Sequence, residues 1–140
     1  MGDYLRAARD NCINISEQLK SQLPQFNFTF GAVLYRDLVD CPGEKNKTYS
    51  LKSDVSRLKN EIGSESANGG GDTAEDWVGA YDMALNNIAW RDGTRLIIHI
   101  ADAPAHGSKW SNTSDKHNSE NEKLYPLIQK AVDKKIKHIP

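Results

Sequence analysis

The sequence predicts an α/β domain, a parallel sheet covered by helices on both faces. Three observations predict it. Helical and strand-like segments alternate along the chain. The strand-like segments are apolar runs, as in strands buried on both faces. The length, 140 residues, suits one domain with one core.

Residues 3–23 read as a helix, with Leu5, Ala8, Cys12, Ile15 and Leu19 recurring at steps of three and four and Pro24 as the stop. The stretch "FNFTFGAVLY", 26–35, begins by alternating and becomes a solid apolar run, which predicts a strand whose second half is buried. A polar loop follows, and 48–51, "TYSL", reads as a short edge strand. Residues 54–62 form a helix with Val55, Leu58 and Ile62 on one face, Ser53 as its cap and Gly63 at its end. After the loop "SESANGGG", a helix is expected over 74–89, its core face being Trp77, Tyr81, Ala84, Leu85 and Ile88. "TRLIIHIA", 94–101, is the clearest buried strand. Residues 107–122 are strongly polar and are expected to be mobile. The last helix starts near Pro126, with Leu127, Ile128, Ala131 and Val132 on its core face, and "IKHIP" opens another strand.

The composition, 38% hydrophobic and 26% charged, is that of a globular chain. Lys+Arg is 18 against Asp+Glu 19, so nothing in the charge calls for nucleic acid or an anionic membrane as partner. The basic run 130–137 reads as a solvated helix face. No apolar run is long enough to span a bilayer, and the N-terminus lacks the basic start and apolar centre of a signal peptide, so a cytoplasmic location is expected. Met1-Gly2 opens a myristoylation pattern that Arg6 and Ala7 do not complete. Cys12 and Cys41 are too few for a disulfide framework and have no metal-ligand spacing. Asn14, Asn27, Asn46 and Asn112 begin glycosylation sequons that, without a secretory signal, read as chance.

Two places invite chemistry. In "GGGDTAEDW", Thr73 and Asp76 have the spacing of a capping box, so the local pattern alone supports a helix cap. A phosphate cradle is the second reading, but no lysine follows the glycines, and Asp72, Glu75 and Asp76 would repel a phosphate. A metal corner is the third, since a hydroxyl and carboxylates are hard oxygen ligands suited to magnesium or calcium. Asp102 stands just past the best strand, on the rim where sheets of this kind bind ligands. Such a carboxylate is solvated, paired or metal-bound, and a turn acid ahead of Pro104 is the plain alternative. His106, four residues on, makes Asp102 and His106 a weak candidate acid–base or zinc pair; His99, inside the strand, reads as a core histidine.

"FGAVLYRD", "GGGDTAEDWVGAYDMAL" and "WRDGTRLIIHIADAPAHG", in that order over nearly the whole chain, resemble the von Willebrand factor type A domain. The likeness is to the branch found beside atypical alpha-type kinases. The resemblance implies a doubly wound, mostly parallel, Rossmann-like sheet with helices on both faces. It also implies a metal-ion-dependent adhesion site on the carboxyl-end rim, built from an Asp-x-Ser-x-Ser loop, a loop threonine and a loop aspartate. Thr73 matches the threonine and Asp102 the aspartate, with Asp72 and Asp76 as neighbours. The implied cation is Mg2+, with Mn2+ or Ca2+ as substitutes, and an acidic side chain of a protein partner completes its shell.

The Asp-x-Ser-x-Ser loop and the strand before it have no counterpart ahead of Met1, and the last strands have none beyond Pro140. Residues 1–140 are therefore expected to be a single partial domain. The strands 26–35 and 94–101 would leave unpaired edges unless they pair with each other. Two ligands plus water would hold magnesium weakly or not at all. The expected function is protein binding without catalysis. The rivals are an accessory segment of a larger alpha-type kinase and a small metal-assisted hydrolase using Asp102 and His106.

Overall fold

The structure, a computed structural model, describes residues 2–38, 46–66, 73–111, 115 and 117–139, and for residues 2–5 the backbone alone. Cys41, Asp72, Asn112 and the three glycines 69–71 lie outside the described residues. The chain divides into two compact units, Met1–Ala32 with Tyr49–Ala67, and Val33–Thr48 with Asn68–Pro140.

In the first unit, helix α1 (Gly2–Gln22) packs on helix α2 (Val55–Gly63). In α2 the expected face, Val55, Leu58 and Ile62, is buried; in α1 it is Ile13 and Ser16 that are buried, while Ile15 of the expected face is 40% exposed. The cap of α2 is Asp54, not Ser53. Its Oδ1 accepts from the Ser56 and Arg57 amides at 2.9 and 3.4 Å, and its extended backbone is the geometry a cap requires. Ser53 instead offers its carbonyl to Lys20 Nζ at 2.5 Å.

Strands β1 (Phe30–Leu34) and β2 (Lys47–Lys52) form a two-stranded antiparallel sheet. A Cβ on Gly31 would stand 2.6 Å from the Tyr49 carbonyl oxygen, so only glycine allows that approach. Residues 26–29 stay outside the strand, where Phe26, Phe28 and Phe30 line up ring against ring.

The second unit is organised by helix α3 (Trp77–Asn86), strand β3 (Arg95–Ile98), helix α4 (Leu124–Asp133) and strand β4 (Ile136–Ile139). β3 and β4 pair in parallel, Arg95 opposite Ile136 and Ile98 opposite Ile139. Leu85, Ala131 and Ile136 make one buried cluster with Trp90, Ile97 and Leu127 against it. Tyr81, Ala105 and Leu124 make a second with Trp77, Val78 and Ile128. Lys135, at φ 56°, turns the chain from α4 into β4.

The doubly wound, mostly parallel sheet is not what forms. The described strands make two separate sheets of two strands each, one antiparallel and one parallel. Among the described strands β1 pairs with β2 and β3 with β4, and β1 and β3 do not pair with each other. Nor is β3 covered on both sides. Arg95 and Ile97 are half-buried while Leu96 and Ile98 are 41% and 44% exposed, so the apolar run "LII" signalled more coverage than it receives.

The polar segment 107–122, expected to be mobile, carries local structure and hydrogen bonds at its described residues. It contains a 3₁₀ turn (Asn118–Glu122), and Asn121 Oδ1 accepts from the Lys109 amide at 2.8 Å. Gly107 has φ 104°, and a Cβ there would meet the Asn121 side chain, so glycine is required on both counts.

Candidate functional site: two joined loops and a buried histidine

Helix α3 was expected to begin near Ala74 with Thr73 as its cap; it begins at Trp77, and Asp76 is the cap. Residues 74–76 are held extended. The Glu75 amide donates to the Pro104 carbonyl at 2.9 Å, the His106 amide donates to the Glu75 carbonyl at 3.3 Å, and Glu75 and Ala105 form a parallel bridge. Of the amides a helix starting at Ala74 would leave free, that of Glu75 donates across this bridge and that of Asp76 donates to the Arg36 carbonyl at 3.1 Å. Asp76 Oδ1 accepts from the Gly79 amide at 2.7 Å and its Oδ2 from Asn46 Nδ2 at 2.7 Å. A Cβ on Gly79 would collide with the Asp76 carboxylate, so the glycine makes room for the cap.

The bridge joins the loop of Thr73 to the loop of Asp102. Both residues are exposed. Asp102 lies on a concave surface at the carboxyl end of β3, with Trp77, His99 and Pro104 among its other lining residues. Asp76, expected as a neighbour of the ion, has both oxygens committed to structure.

Behind this rim runs a chain of hydrogen bonds. Tyr35 Oη is 3.0 Å from His99 Nε2, Tyr81 Oη is 3.3 Å from His99 Nδ1, and Tyr81 Oη is 2.5 Å from His138 Nε2. Trp77 packs edge-on against the His99 ring at 4.4 Å. Burial, then the charges of Glu75 and Asp102, push the Tyr35 phenol far above its usual range; burial pushes Tyr81 up to about 12. Burial, and then His138, lower the His99 pKa. A histidine with a lowered folded pKa contributes stability that is present above the unfolded value of about 6.5 and is lost as pH falls through the folded value. The protein is therefore expected to lose more melting temperature between pH 7.5 and 5.5 than His99→Gln does. Parallel pH profiles for the two would contradict this.

His106 is only 2% exposed and does not face Asp102. Its Nε2 lies 2.7 Å from Asp37 Oδ1 and its Nδ1 3.0 Å from Asp115 Oδ2, both carboxylates being almost fully buried. Asp115 also accepts from the Gly107 amide at 2.5 Å and the His117 amide at 2.8 Å. Burial alone would lower the His106 pKa, but the hydrogen bonds to Asp37 and Asp115 and their charges outweigh it, and the net shift is upward. Burial would likewise raise Asp115, yet the Gly107 and His117 amides and His106 hold it below its usual value. The ring of His117 stands edge-on to that of His106 at 4.6 Å.

The Asp102–His106 pair read from the sequence is therefore not assembled: one is exposed and the other is enclosed by two different aspartates. Asp37, Asn46, Asp115 and His117 were missed. They lie 69, 30, 9 and 11 positions from the residues they meet — His106 for all but Asn46, which meets Asp76 — in stretches whose composition reads only as loop. Among the described residues, no helix is long and apolar enough to cross a membrane.

No family model matches the chain. Over 118 residues, 84% of its length, the chain is 28% identical to the alpha-protein kinase vwkA of Dictyostelium discoideum, and the match spans 19% of that protein. The chain is a distant, partial homologue of an alpha-protein kinase.

Proposed function

We propose that this chain is a protein-binding segment of von Willebrand factor type A kind, an accessory rather than catalytic part of an alpha-kinase-like protein. The observation that carries the reading is the Glu75–Ala105 bridge, which ties the Thr73 loop to the Asp102 loop at the carboxyl end of β3. The similarity to part of an alpha-protein kinase supports the same reading.

Magnesium fits the pair in kind but not in number. Thr73 and Asp102 offer exposed hard oxygens, whereas the ion takes six in an octahedron, and each Asp76 oxygen already accepts a hydrogen bond. Thr73 and Asp102 would hold it weakly, and a carboxylate of the partner adds a ligand that strengthens the contact. A bound cation supplies positive charge that attracts such a carboxylate. The chain's own residues do the rest: the bridge fixes the spacing of the loops, and Trp77 and Pro104 give the adjoining surface an apolar wall.

A glutamate-containing peptide is expected to bind the chain more tightly in magnesium than in chelator, and Asp102→Ala is expected to remove that difference. Equal binding in magnesium and chelator would defeat the proposal.

A further inference from the structure

We propose that His106, Asp115 and His117 form a binding site for one divalent transition-metal ion of the zinc type, oriented by Asp37. This site is separate from the Thr73–Asp102 rim and uses none of its residues. The ligating atoms of the three residues lie within 4.8 Å of one another. Ligands about 2.0–2.2 Å from a tetrahedral zinc stand roughly 3.3–3.5 Å apart. One pair, His106 Nδ1 and Asp115 Oδ2 at 3.0 Å, is already near that spacing.

The donor set decides the metal. Two imidazoles and one carboxylate suit zinc, cobalt or nickel, whereas magnesium and calcium take oxygen alone. Asp37 supplies what a ligating histidine ordinarily has, a carboxylate on its other ring nitrogen: its Oδ1 accepts from Nε2 at 2.7 Å, which turns Nδ1 toward Asp115. Asp115 is held in place by the Gly107 and His117 amides. The His117 ring is half-buried, stands edge-on to that of His106, and makes no hydrogen bond among the described residues. On binding, the metal displaces the proton that otherwise lies between Nδ1 and Oδ2, and that proton leaves to solvent. The two buried carboxylates then face a dication. Three protein ligands leave a fourth position for water or an incoming donor.

The test uses the full chain stripped with chelator, then titrated with Zn2+ by calorimetry and with Co2+ by visible absorption. One equivalent is expected to bind, with the intense visible bands of tetrahedral cobalt and no thiolate charge-transfer band. His117→Ala is the informative variant, because removing this ring breaks no described hydrogen bond; its fold is checked by circular dichroism. It is expected to bind zinc at least tenfold more weakly, while Asp102→Ala binds as the parent does. Asp37→Asn is expected to weaken binding about 10- to 100-fold. The proposal is overturned if no stoichiometric binding occurs. It is equally overturned if a folded His117→Ala keeps full affinity, or if Asp102→Ala loses it.

Discussion

His106→Ala is expected to lower the unfolding free energy of the metal-free protein by about 3–5 kcal/mol, the cost of breaking a buried ion pair by removing one partner. The imidazole separates two buried carboxylates, Asp37 and Asp115, and bonds to both. Without it two anions are left facing the vacated space and lose their shared donor. A loss of that size would drop the melting temperature by on the order of 10 °C for a chain of this length. The double variant Asp37→Asn with Asp115→Asn, combined with His106→Ala, is expected to recover part of the loss, because no buried charge is then left alone. A drop of under about 1 kcal/mol for His106→Ala alone, measured by urea unfolding, would mean that the pair is solvated rather than buried.

Leu85→Ala is expected to cost about 2–5 kcal/mol, the range for deleting a buried leucine and leaving a cavity. Leu85 is 1% exposed at the centre of the cluster with Ala131 and Ile136, so one side chain joins α3 to α4 and β4. Its carbonyl also accepts from Lys134 Nζ at 2.9 Å. Hydrogen exchange makes the prediction specific. The His99 amide, which donates to the Ile139 carbonyl at 2.8 Å, should lose protection along with the β3–β4 ladder. Unchanged protection there, with the same loss of global stability, would show that the parallel pair does not depend on the helical layer over it.

The helices were legible because their apolar faces repeat within the helix itself. Val55, Leu58 and Ile62 needed nothing outside α2 to declare it, and Leu85 and Ala131 were on core faces read from the sequence. Helix starts were less legible. Thr73 and Ser53 looked like caps, and in each case a later aspartate took the role; at Asp76 the displacement follows from the bridge at Glu75. Pairing of strands was least legible, since an apolar run such as "RLII" states that a strand forms but not which neighbour it finds. The loops of Thr73 and Asp102 could be placed side by side only through a family resemblance. The enclosure of His106 by Asp37 and Asp115 could not be read at all, because the partners come from two polar loops with no spacing rule between them.

On the proposed reading, the Thr73 and Asp102 loops act as one cation-dependent contact surface. Paramagnetic broadening by trace Mn2+, read on the backbone amides of the chain with the His117→Ala background removing the second metal site, tests it directly. The amides of Thr73, Ala74, Asp102 and Ala103 are expected to broaden together, and Asp102→Ala is expected to abolish the effect at both loops. Broadening confined to one loop, or scattered over exposed acids such as Asp92 and Glu122, would contradict it.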